Sequence, residues 1–198
     1  MQPDGYGGLG AFARRAFAAG DTVHAEAALV RWWQDRAGTP QENLARVHEQ
    51  VAQLGEDGAA RYFSLAQTWA NHPGPAKTVL GVWLSNAFDT DAEDAEPGRW
   101  ESAGVFAAVS RCNHACLPNC RADFDPATER MMLKTVRPVE AGEELTISYM
   151  GVVNAPREQR RNHLYETFKF ECGCVLCERG DEWGREKIRA LSEQETGS

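Results

Sequence analysis

Residues 110–120 read Ser110-Arg111-Cys112-Asn113-His114-Ala115-Cys116-Leu117-Pro118-Asn119-Cys120. This segment is too polar for an ordinary core strand and too rich in specific hydrogen-bonding groups for an ordinary loop. On composition alone, Asn113 is better explained as a turn residue and His114 as a hydrogen-bonded core histidine. The sequence around the segment therefore decides whether it forms a site.

Composition and charge restrict the class of protein. The chain has 198 residues, of which 42% are hydrophobic and 25% charged, as in one globular domain. A net charge of −8 argues against direct nucleic-acid binding, which needs a basic surface, and favours basic partners. No apolar run approaches the ~18 residues of a membrane span, and residues 1–10 do not resemble a secretory signal. We expect an intracellular protein, nuclear or cytoplasmic, that does not bind membranes; the oligomeric state is unknown.

A C-x-C-x2-C cluster near the C-terminus is made of Cys172, Cys174 and Cys177. In a reducing compartment, such a spacing favours a metal ion over disulfides. Structural zinc is tetrahedral and takes four ligands, so the cluster needs one donor from elsewhere in the chain. The candidates are Cys112, Cys116 and Cys120. Any of them would join the C-terminal segment to residues 111–120.

Two distant segments share a pattern of short strands around a glycine-containing turn. In the first, residues 11–17 and 22–30 flank residues 18–21, which read Ala-Ala-Gly-Asp. In the second, residues 131–136 and 144–149 flank residues 140–143, which read Glu-Ala-Gly-Glu. Each pattern predicts a β-hairpin.

The block between the two hairpin-like segments is predicted to be helical. Its apolar spacing and composition favour helices over residues 41–54, 59–70 and 76–88, with an exposed loop over residues 89–98. A further short helix is expected to begin near Pro156 and run to about Thr167. The last residues, 179–198, are predicted to be a polar tail that is frayed or forms one short helix.

Four segments together resemble the SET-domain methyltransferases, in the order Gly8-Leu9-Gly10-Ala11-Phe12-Ala13, Asn113-His114-Ala115-Cys116-Leu117-Pro118-Asn119, Gly142-Glu143-Glu144-Leu145-Thr146-Ile147-Ser148-Tyr149 and Phe170-Glu171-Cys172-Gly173-Cys174-Val175-Leu176-Cys177. The resemblance is strongest to the SET and MYND subfamily and its fungal relatives, although the chain lacks the cysteines of the MYND finger. It implies an α+β, mostly β SET fold with a pseudoknot. The implied boundaries are a catalytic domain at 5–170 with a helical insert at about 38–100, a zinc-binding post-SET segment at 171–178 and a polar tail at 179–198.

The resemblance also implies S-adenosylmethionine as cofactor and one structural zinc ion. The residues that it places at the cofactor are Gly7, Gly8, Leu9, Gly10, Asn86, Ser110, Asn113, His114, Tyr149, Phe168 and Phe170. Asn86 has an equally good explanation as the last residue of a helix. The family's zinc pattern assigns the fourth thiolate to Cys116, beside Cys172, Cys174 and Cys177, which leaves Cys112 and Cys120 as buried free thiols.

By the same resemblance, Tyr149 is the catalytic residue, and its hydroxyl orients the amine of a lysine in a basic protein or peptide substrate. Lysine is almost fully protonated at neutral pH, and a narrow apolar channel beside a sulfonium disfavours its charged form. Phe168 stands where close relatives commonly carry a second channel tyrosine. That substitution predicts either transfer of more than one methyl group or weaker activity.

Two other functions are compatible with the sequence. One is a catalytically weak SET-like module that binds a protein partner through its helical insert. The retention of Tyr149, Asn113, His114 and the cysteines argues against it. The other is methyl transfer to a non-protein amine, which stays open because no residue that reads the substrate is identifiable.

Overall fold

The computed structural model describes residues 2–3, 9–35, 39–67, 77–90, 99–150 and 155–196. The strands are β1 Gln2–Pro3, β2 Leu9–Phe12, β3 Thr22–Ala27, β4 Val30–Asp35, β5 Ala87–Asp89, β6 Arg99–Val105, β7 Asn113–His114, β8 Cys120–Asp125, β9 Arg130–Thr135 and β10 Glu144–Ile147. The helices are α1 Pro40–Gln53, α2 Gly55–Phe63, α3 Val79–Asn86, α4 Arg157–Phe168, α5 Val175–Arg179 and α6 Asp181–Thr196, with a 3-10 turn at Val109–Arg111.

Within the described ranges, the strands form three small sheets. Their orders are β1-β2-β10-β7, β3-β9-β8 and β4-β6-β5. The strand pairs are antiparallel except β7 with β10, which run parallel. The helices lie in the insert between β4 and β5 and in the C-terminal region. This arrangement confirms the predicted α+β class.

The two predicted hairpins are wrong, because each segment pairs with the other instead of with itself. Strand β2 pairs with β10, and β3 pairs with β9. Between these pairs, Phe17 and Val139 exchange backbone hydrogen bonds of 2.9 and 3.0 Å. The turns are predicted correctly, but the strands that flank each turn pair with strands of the other segment.

The turns of the two segments have matching structures. Gly20 and Gly142 both adopt a positive φ, at 85° and 84°, a conformation that favours glycine. In each turn, the acidic side chain after the glycine accepts a hydrogen bond from the backbone three residues earlier, Ala18 N to Asp21 Oδ2 at 2.9 Å and Glu140 N to Glu143 Oε2 at 3.0 Å. The repeated sequence pattern is therefore a repeated structure.

The helical predictions agree with the structure except at several ends. Helix α1 begins after Thr39, whose capping box with Glu42 satisfies the first turn. Helix α2 ends at Phe63, and the predicted continuation to residue 70 partly lies outside the described residues. Helix α3 ends at Asn86 instead of residue 88, because Phe88 joins β5 and packs against Phe106 at 6.1 Å between ring centroids.

The polar tail forms a longer helix than predicted. Helix α6 has 16 residues, Asp181–Thr196. Its Trp183 packs against the cysteine-rich core, and Gly184 approaches the Leu176 side chain so closely that a Cβ would collide with it. This packing stabilises a helix that composition alone does not predict. Helix α4 follows Pro156 as predicted.

Three groups of buried side chains hold these elements together. One lies between the sheets and includes Phe106, Val109 and Met131. A second lies inside the insert, around Tyr62 and Val82. The third surrounds the C-terminal cysteines. Of the predicted exposed loop, Thr90 is buried and residues 91–98 lie outside the described part of the chain. No described helix is long and apolar enough to span a membrane.

Candidate active site and metal centre

Strands β7 and β10 bring the two central motifs of the sequence side by side. Their parallel register pairs Asn113 with Thr146 and His114 with Ile147, and Ala115 N donates to Ile147 O at 3.0 Å. The pseudoknot expected from the sequence requires this adjacency. The side chains of the first motif consequently meet those that follow the second.

Asn119 extends this pairing with its side chain. The residue is buried, its Oδ1 accepts from Thr146 N at 2.8 Å and its Nδ2 donates to Glu144 O at 2.7 Å. Nδ2 also lies 3.2 Å from an oxygen of Glu143. The side-chain amide of Asn119 thus makes hydrogen bonds with the β10 backbone of the kind that a neighbouring strand makes.

Asn113 joins the N-terminal strand to the same group. Its Nδ2 donates to Glu144 Oε1 at 2.8 Å and to Leu9 O at 3.4 Å. At Gly10, a Cβ would collide with the Glu144 carboxylate and lie 3.0 Å from Asn113 Nδ2, so the glycine leaves room for the present position of that carboxylate. The structure therefore brings Leu9, Gly10 and Asn113 together, whereas Gly7 and Gly8 lie outside the described residues.

His114 has its ring orientation fixed by two contacts. Tyr149 N donates to His114 Nδ1 at 3.0 Å, which makes Nδ1 an acceptor and leaves the proton of the neutral ring on Nε2. Nε2 lies 3.3 Å from Cys116 Sγ. Burial, aided by the nearby Arg160 charge, lowers the pKa of His114 to about 4. The ring is therefore neutral at neutral pH.

The Tyr149 hydroxyl donates its proton to a backbone carbonyl, Cys112 O, at 2.8 Å. Burial raises the pKa of Tyr149 well above its ordinary value of 10. The phenol consequently stays protonated, and its proton is already engaged. Its oxygen is left as a hydrogen-bond acceptor for anything that enters the site.

Three aromatic rings lie around the ring of Tyr149. The ring centroid of Tyr149 lies 5.0 Å from Phe168, 5.3 Å from His114 and 6.4 Å from Phe170. His114 and Phe170 are 6.2 Å apart. We call His114, Tyr149, Phe168 and Phe170 the aromatic group. All four are partly exposed, so they are accessible to a ligand.

Asn86 and Ser110 form a separate contact beside the insert. Asn86 is the last residue of α3, and its Nδ2 donates to Ala66 O and Val82 O, both at 2.7 Å. Ser110 Oγ donates to Asn86 O at 3.3 Å. These bonds tie the insert to the 3-10 turn that precedes Asn113. Both donors of the Asn86 amide are used inside the protein, as in the helix-end interpretation.

The sulfur atoms of Cys116, Cys172, Cys174 and Cys177 lie within 4.8 Å of one another. The Cys116 sulfur is 3.9 Å from that of Cys172 and 3.6 Å from that of Cys177. Tetrahedral zinc with Zn–S bonds of about 2.3 Å separates its sulfurs by about 3.8 Å. The four cysteines therefore fit a zinc ion, and we call them the thiolate cluster. Cys112 and Cys120 are buried free thiols outside it.

The chain assembles the thiolate cluster from two regions. Cys116 follows β7. Cys172 and Cys174 lie between α4 and α5, and Cys177 lies in the first turn of α5. Cys116 N donates to Cys174 Sγ at 3.4 Å. Hydrogen bonds from the Cys116 and Cys172 side chains hold the pKa of Cys174 far below its ordinary range.

Some residues at the site were not assigned a role from the sequence. Glu144 binds the Asn113 side chain, and Cys112 supplies the carbonyl for Tyr149. Arg160 lies buried against the thiolate cluster. The one sequence feature that could have indicated its burial is its position four residues before the apolar Leu164, on the same face of α4.

The family of the chain is shown by its sequence. Residues 8–150 match the family model described as SET domain, which is more than half of the chain. The chain therefore belongs to the SET domain family. SET methyltransferases use S-adenosylmethionine as methyl donor.

Curated relatives of the chain are named as lysine methyltransferases. The chain is 27% identical to histone-lysine N-methyltransferase set5 of Schizosaccharomyces pombe over 186 residues, which are 94% of this chain and 51% of that protein. It is 39% identical to mouse histone-lysine N-methyltransferase SMYD3 over 99 residues, 50% of this chain and 22% of that protein. It is 33% identical to chicken protein-lysine N-trimethyltransferase SMYD5 over 91 residues, 45% and 22% of the two chains. The chain thus spans about half the length of the first relative, and the other two matches cover about a fifth of theirs.

Proposed function

We propose that the chain transfers a methyl group from S-adenosylmethionine to the side-chain amine of a lysine in a protein substrate. The observation that carries this proposal is the position of Tyr149, whose ring packs among the other three members of the aromatic group and whose hydroxyl donates its proton to Cys112 O. Family membership and the names of the relatives support the same reaction.

Tyr149 acts on the amine as a hydrogen-bond acceptor. S-adenosylmethionine supplies, when bound, a methyl group that its sulfonium has already activated. An incoming amine can donate an N–H only to the free lone pairs of the Tyr149 oxygen. This bond would direct the nitrogen lone pair away from the tyrosine, so alignment of the amine carries the catalysis. The raised pKa of Tyr149 keeps the phenol protonated, which excludes a phenolate base at neutral pH.

The aromatic group provides the surroundings in which the amine reacts. Phe168 and Phe170 supply apolar walls, and His114 is neutral because its pKa is lowered. Such walls disfavour a charged ammonium, so the lysine proton leaves to solvent before the amine is enclosed. Phe168 lies 5.0 Å from Tyr149 and brings no hydrogen-bonding group. We keep the two expectations for it, several methyl transfers or weaker activity.

The proposed cofactor residues are those expected from the sequence: Gly7, Gly8, Leu9, Gly10, Asn86, Ser110, Asn113, His114, Tyr149, Phe168 and Phe170. The close packing of Gly10 against Asn113 and the partly exposed aromatic group support this pocket. Asn86 would contribute through its Oδ1, since its Nδ2 is engaged. The methionine part of the cofactor carries an ammonium group, which would donate a hydrogen bond to the Asn86 Oδ1.

The thiolate cluster is proposed to hold one structural zinc ion. The sulfur separations support this ion, and the ligands would be Cys116, Cys172, Cys174 and Cys177. We also propose a catalytic domain at 5–170 with the insert at 38–100 and a zinc-binding segment at 171–178. The substrate would be a histone or another basic, lysine-containing protein in the nucleus or cytoplasm.

A methylation experiment tests the reaction. The purified, zinc-loaded chain would be incubated with labelled S-adenosylmethionine and a panel of basic proteins and lysine peptides. Transfer of label to lysine is expected, and the mass of the product gives the number of methyl groups. Transfer only to small amines would replace the protein substrate by a non-protein amine.

Titration calorimetry with S-adenosylmethionine separates the enzyme from a binding module. Saturable binding with one site per chain is expected. A chain that is folded and zinc-loaded but binds no cofactor would contradict the proposal and favour a protein-interaction role.

A further inference from the structure

Arg160 is a buried cation on α4. It is 2% exposed, and charged side chains are almost never so buried unless they are paired. Within the described residues, Glu26 is the other buried charged residue, and its carboxylate accepts hydrogen bonds from Ala108 N and Val109 N. Glu26 therefore has a local explanation, whereas the burial of Arg160 requires a partner of its own.

The guanidinium of Arg160 lies between a carboxylate and the thiolate cluster. Its Nη1 donates to Ala155 O at 2.5 Å and to Asp181 Oδ1 at 3.0 Å. On the other side, Nη2 lies 4.0 Å from Cys177 Sγ, and the group also interacts with Cys116. Its Nε is buried without a hydrogen-bond partner. The side of the guanidinium that carries Nη2 thus faces the Cys177 sulfur.

Asp181 does not account for this arrangement. It is about one-third exposed, and its two oxygens also accept from Arg157 N at the start of α4, at 3.0 and 2.9 Å. A carboxylate that is partly solvated and already accepts a hydrogen bond at a helix N-terminus is stable without a buried arginine beside it. The cluster does need one, because four thiolates around a divalent zinc leave a net charge of minus two in a buried place.

We infer that Arg160 is the counter-charge of the thiolate cluster and strengthens its hold on zinc. This inference rests on the proposed zinc site and adds a positioning residue to it. The guanidinium lies 4.0 Å from the Cys177 sulfur, which is itself 3.6 Å from the Cys116 sulfur. These two cysteines come from the two different regions of the chain that the metal would join. Its charge therefore favours the assembled centre over the separated parts.

Zinc affinity in charge-changing variants tests the inference. Purified variants compete for zinc against a chromophoric chelator, and cobalt substitution shows whether four sulfur ligands remain. Arg160→Met keeps the volume and removes the charge, so zinc affinity should fall about 10- to 100-fold. Arg160→Gln should show the same loss if Arg160→Met does not fold. Arg160→Lys keeps a positive charge and should lose less than either.

Two controls distinguish the counter-charge from a purely structural tie. Asp181→Asn removes the ion pair but leaves the positive charge beside sulfur, so zinc affinity should be unchanged or slightly tighter. A tie between α4 and α6 would instead predict that Asp181→Asn and Arg160→Met weaken zinc equally. Arg161→Met, at the neighbouring arginine that pairs with the exposed Glu171, should leave zinc affinity unchanged.

The outcomes separate the inference from the zinc site itself. If the unmodified chain binds no zinc, the proposed metal site and the inference both fall. If it binds one zinc and the Met and Gln variants bind it equally tightly, only the inference is overturned. Equal losses for Arg160→Met and Asp181→Asn, or for Arg160→Lys and Arg160→Met, would also overturn it.

Discussion

Tyr149 is the last residue of the second central motif and is positioned by groups of the segment 110–120. Its backbone N–H binds His114, and its hydroxyl binds Cys112 O. Tyr149→Phe keeps the ring among its aromatic neighbours and removes one hydroxyl, leaving the Cys112 carbonyl without this donor at a cost of about 1 kcal/mol. We expect a folded protein whose turnover falls about 100-fold because the amine is misoriented. Steady-state methylation and cofactor titration measure the two effects.

Matched variants make this prediction specific. Cofactor affinity should change only a few-fold in Tyr149→Phe, whereas Asn113→Ala should lose cofactor affinity first. Tyr165→Phe, at the exposed tyrosine of α4, should have unchanged turnover. A Tyr149→Phe enzyme that works at the unmodified rate would make the tyrosine structural.

The sequence predicted which residues lie close together better than it predicted their hydrogen bonds. The motifs placed Tyr149, His114 and Phe170 in one site, and the structure brings these three together. The acceptor role of His114 Nδ1 depends on a backbone N–H 35 positions later, which no local pattern encodes. Arg160 lies in a run of charged residues that is typical of a solvated helix face, so the sequence does not predict its burial. The thiolate cluster beside it explains that burial.

Asn119 stabilises β10 as a strand would, and its removal should destabilise the whole domain. Asn119→Ala deletes hydrogen bonds to Thr146 N and Glu144 O and leaves these backbone groups unpaired. We expect the free energy of unfolding to fall by about 2–4 kcal/mol. Urea denaturation measures it, with Asn162→Ala on the exposed face of α4 as the control. A loss below about 0.5 kcal/mol would show that water replaces the amide.

Metal removal should loosen residues 168–177 and leave the structure of the insert unchanged. Chelation, or Cys172→Ser, takes away a tetrahedral constraint that joins residues 172–177 to Cys116. Hydrogen exchange should therefore increase over residues 168–177 and stay unchanged in α1. Cofactor affinity should weaken because Phe170 precedes the first of these cysteines.

Cys120→Ala is the control for the metal experiment, because Cys120 is buried but lies outside the thiolate cluster. It should retain one zinc per chain. Cofactor affinity that is unchanged after complete metal removal would contradict the coupling between the metal and Phe170.

Element boundaries and strand partners show where local patterns stop being informative. The start of α1 was predicted from apolar spacing at residue 41, next to the observed Pro40, and the capping box of Thr39 and Glu42 that fixes it is also a contact between near neighbours. The turns at Gly20 and Gly142 were also predicted correctly from their residues. The hairpins were wrong because strand pairing depends on segments more than 100 residues apart, and a turn sequence does not encode its distant partner.

The molecule as a whole should lose stability in alkaline solution. Burial raises the pKa of Cys112 to about 12 and, against the nearby Arg137, that of Cys120 to about 11, from an ordinary 9.0. Above pH 9 the unfolded chain loses these protons while the folded chain keeps them, so the free energy of unfolding falls as pH rises. Their contribution is complete below pH 9 and is lost as pH rises through 11 to 12.

Denaturation between pH 8 and 11, with zinc and a reductant present, measures this slope. Cys112→Ala should make the slope shallower, by at most about 1.4 kcal/mol per pH unit. Equal slopes for the two proteins would mean that Cys112 is solvated in the folded state.

The exchange of strands between the two segments also sets an order of folding. During synthesis, β2 and β3 emerge long before their partners β10 and β9 exist, so the first strands must wait while the insert is made. Helices α1 and α2 rest on local contacts, and their core around Tyr62 can form early. The sheet that contains β3 can close only after residue 135 has left the ribosome, and the sheet that contains β2 only after residue 147. Strands β2 and β3 therefore stay unpaired until residues 130–147 have been made, and unpaired strand edges of this kind favour wrong pairing with other chains.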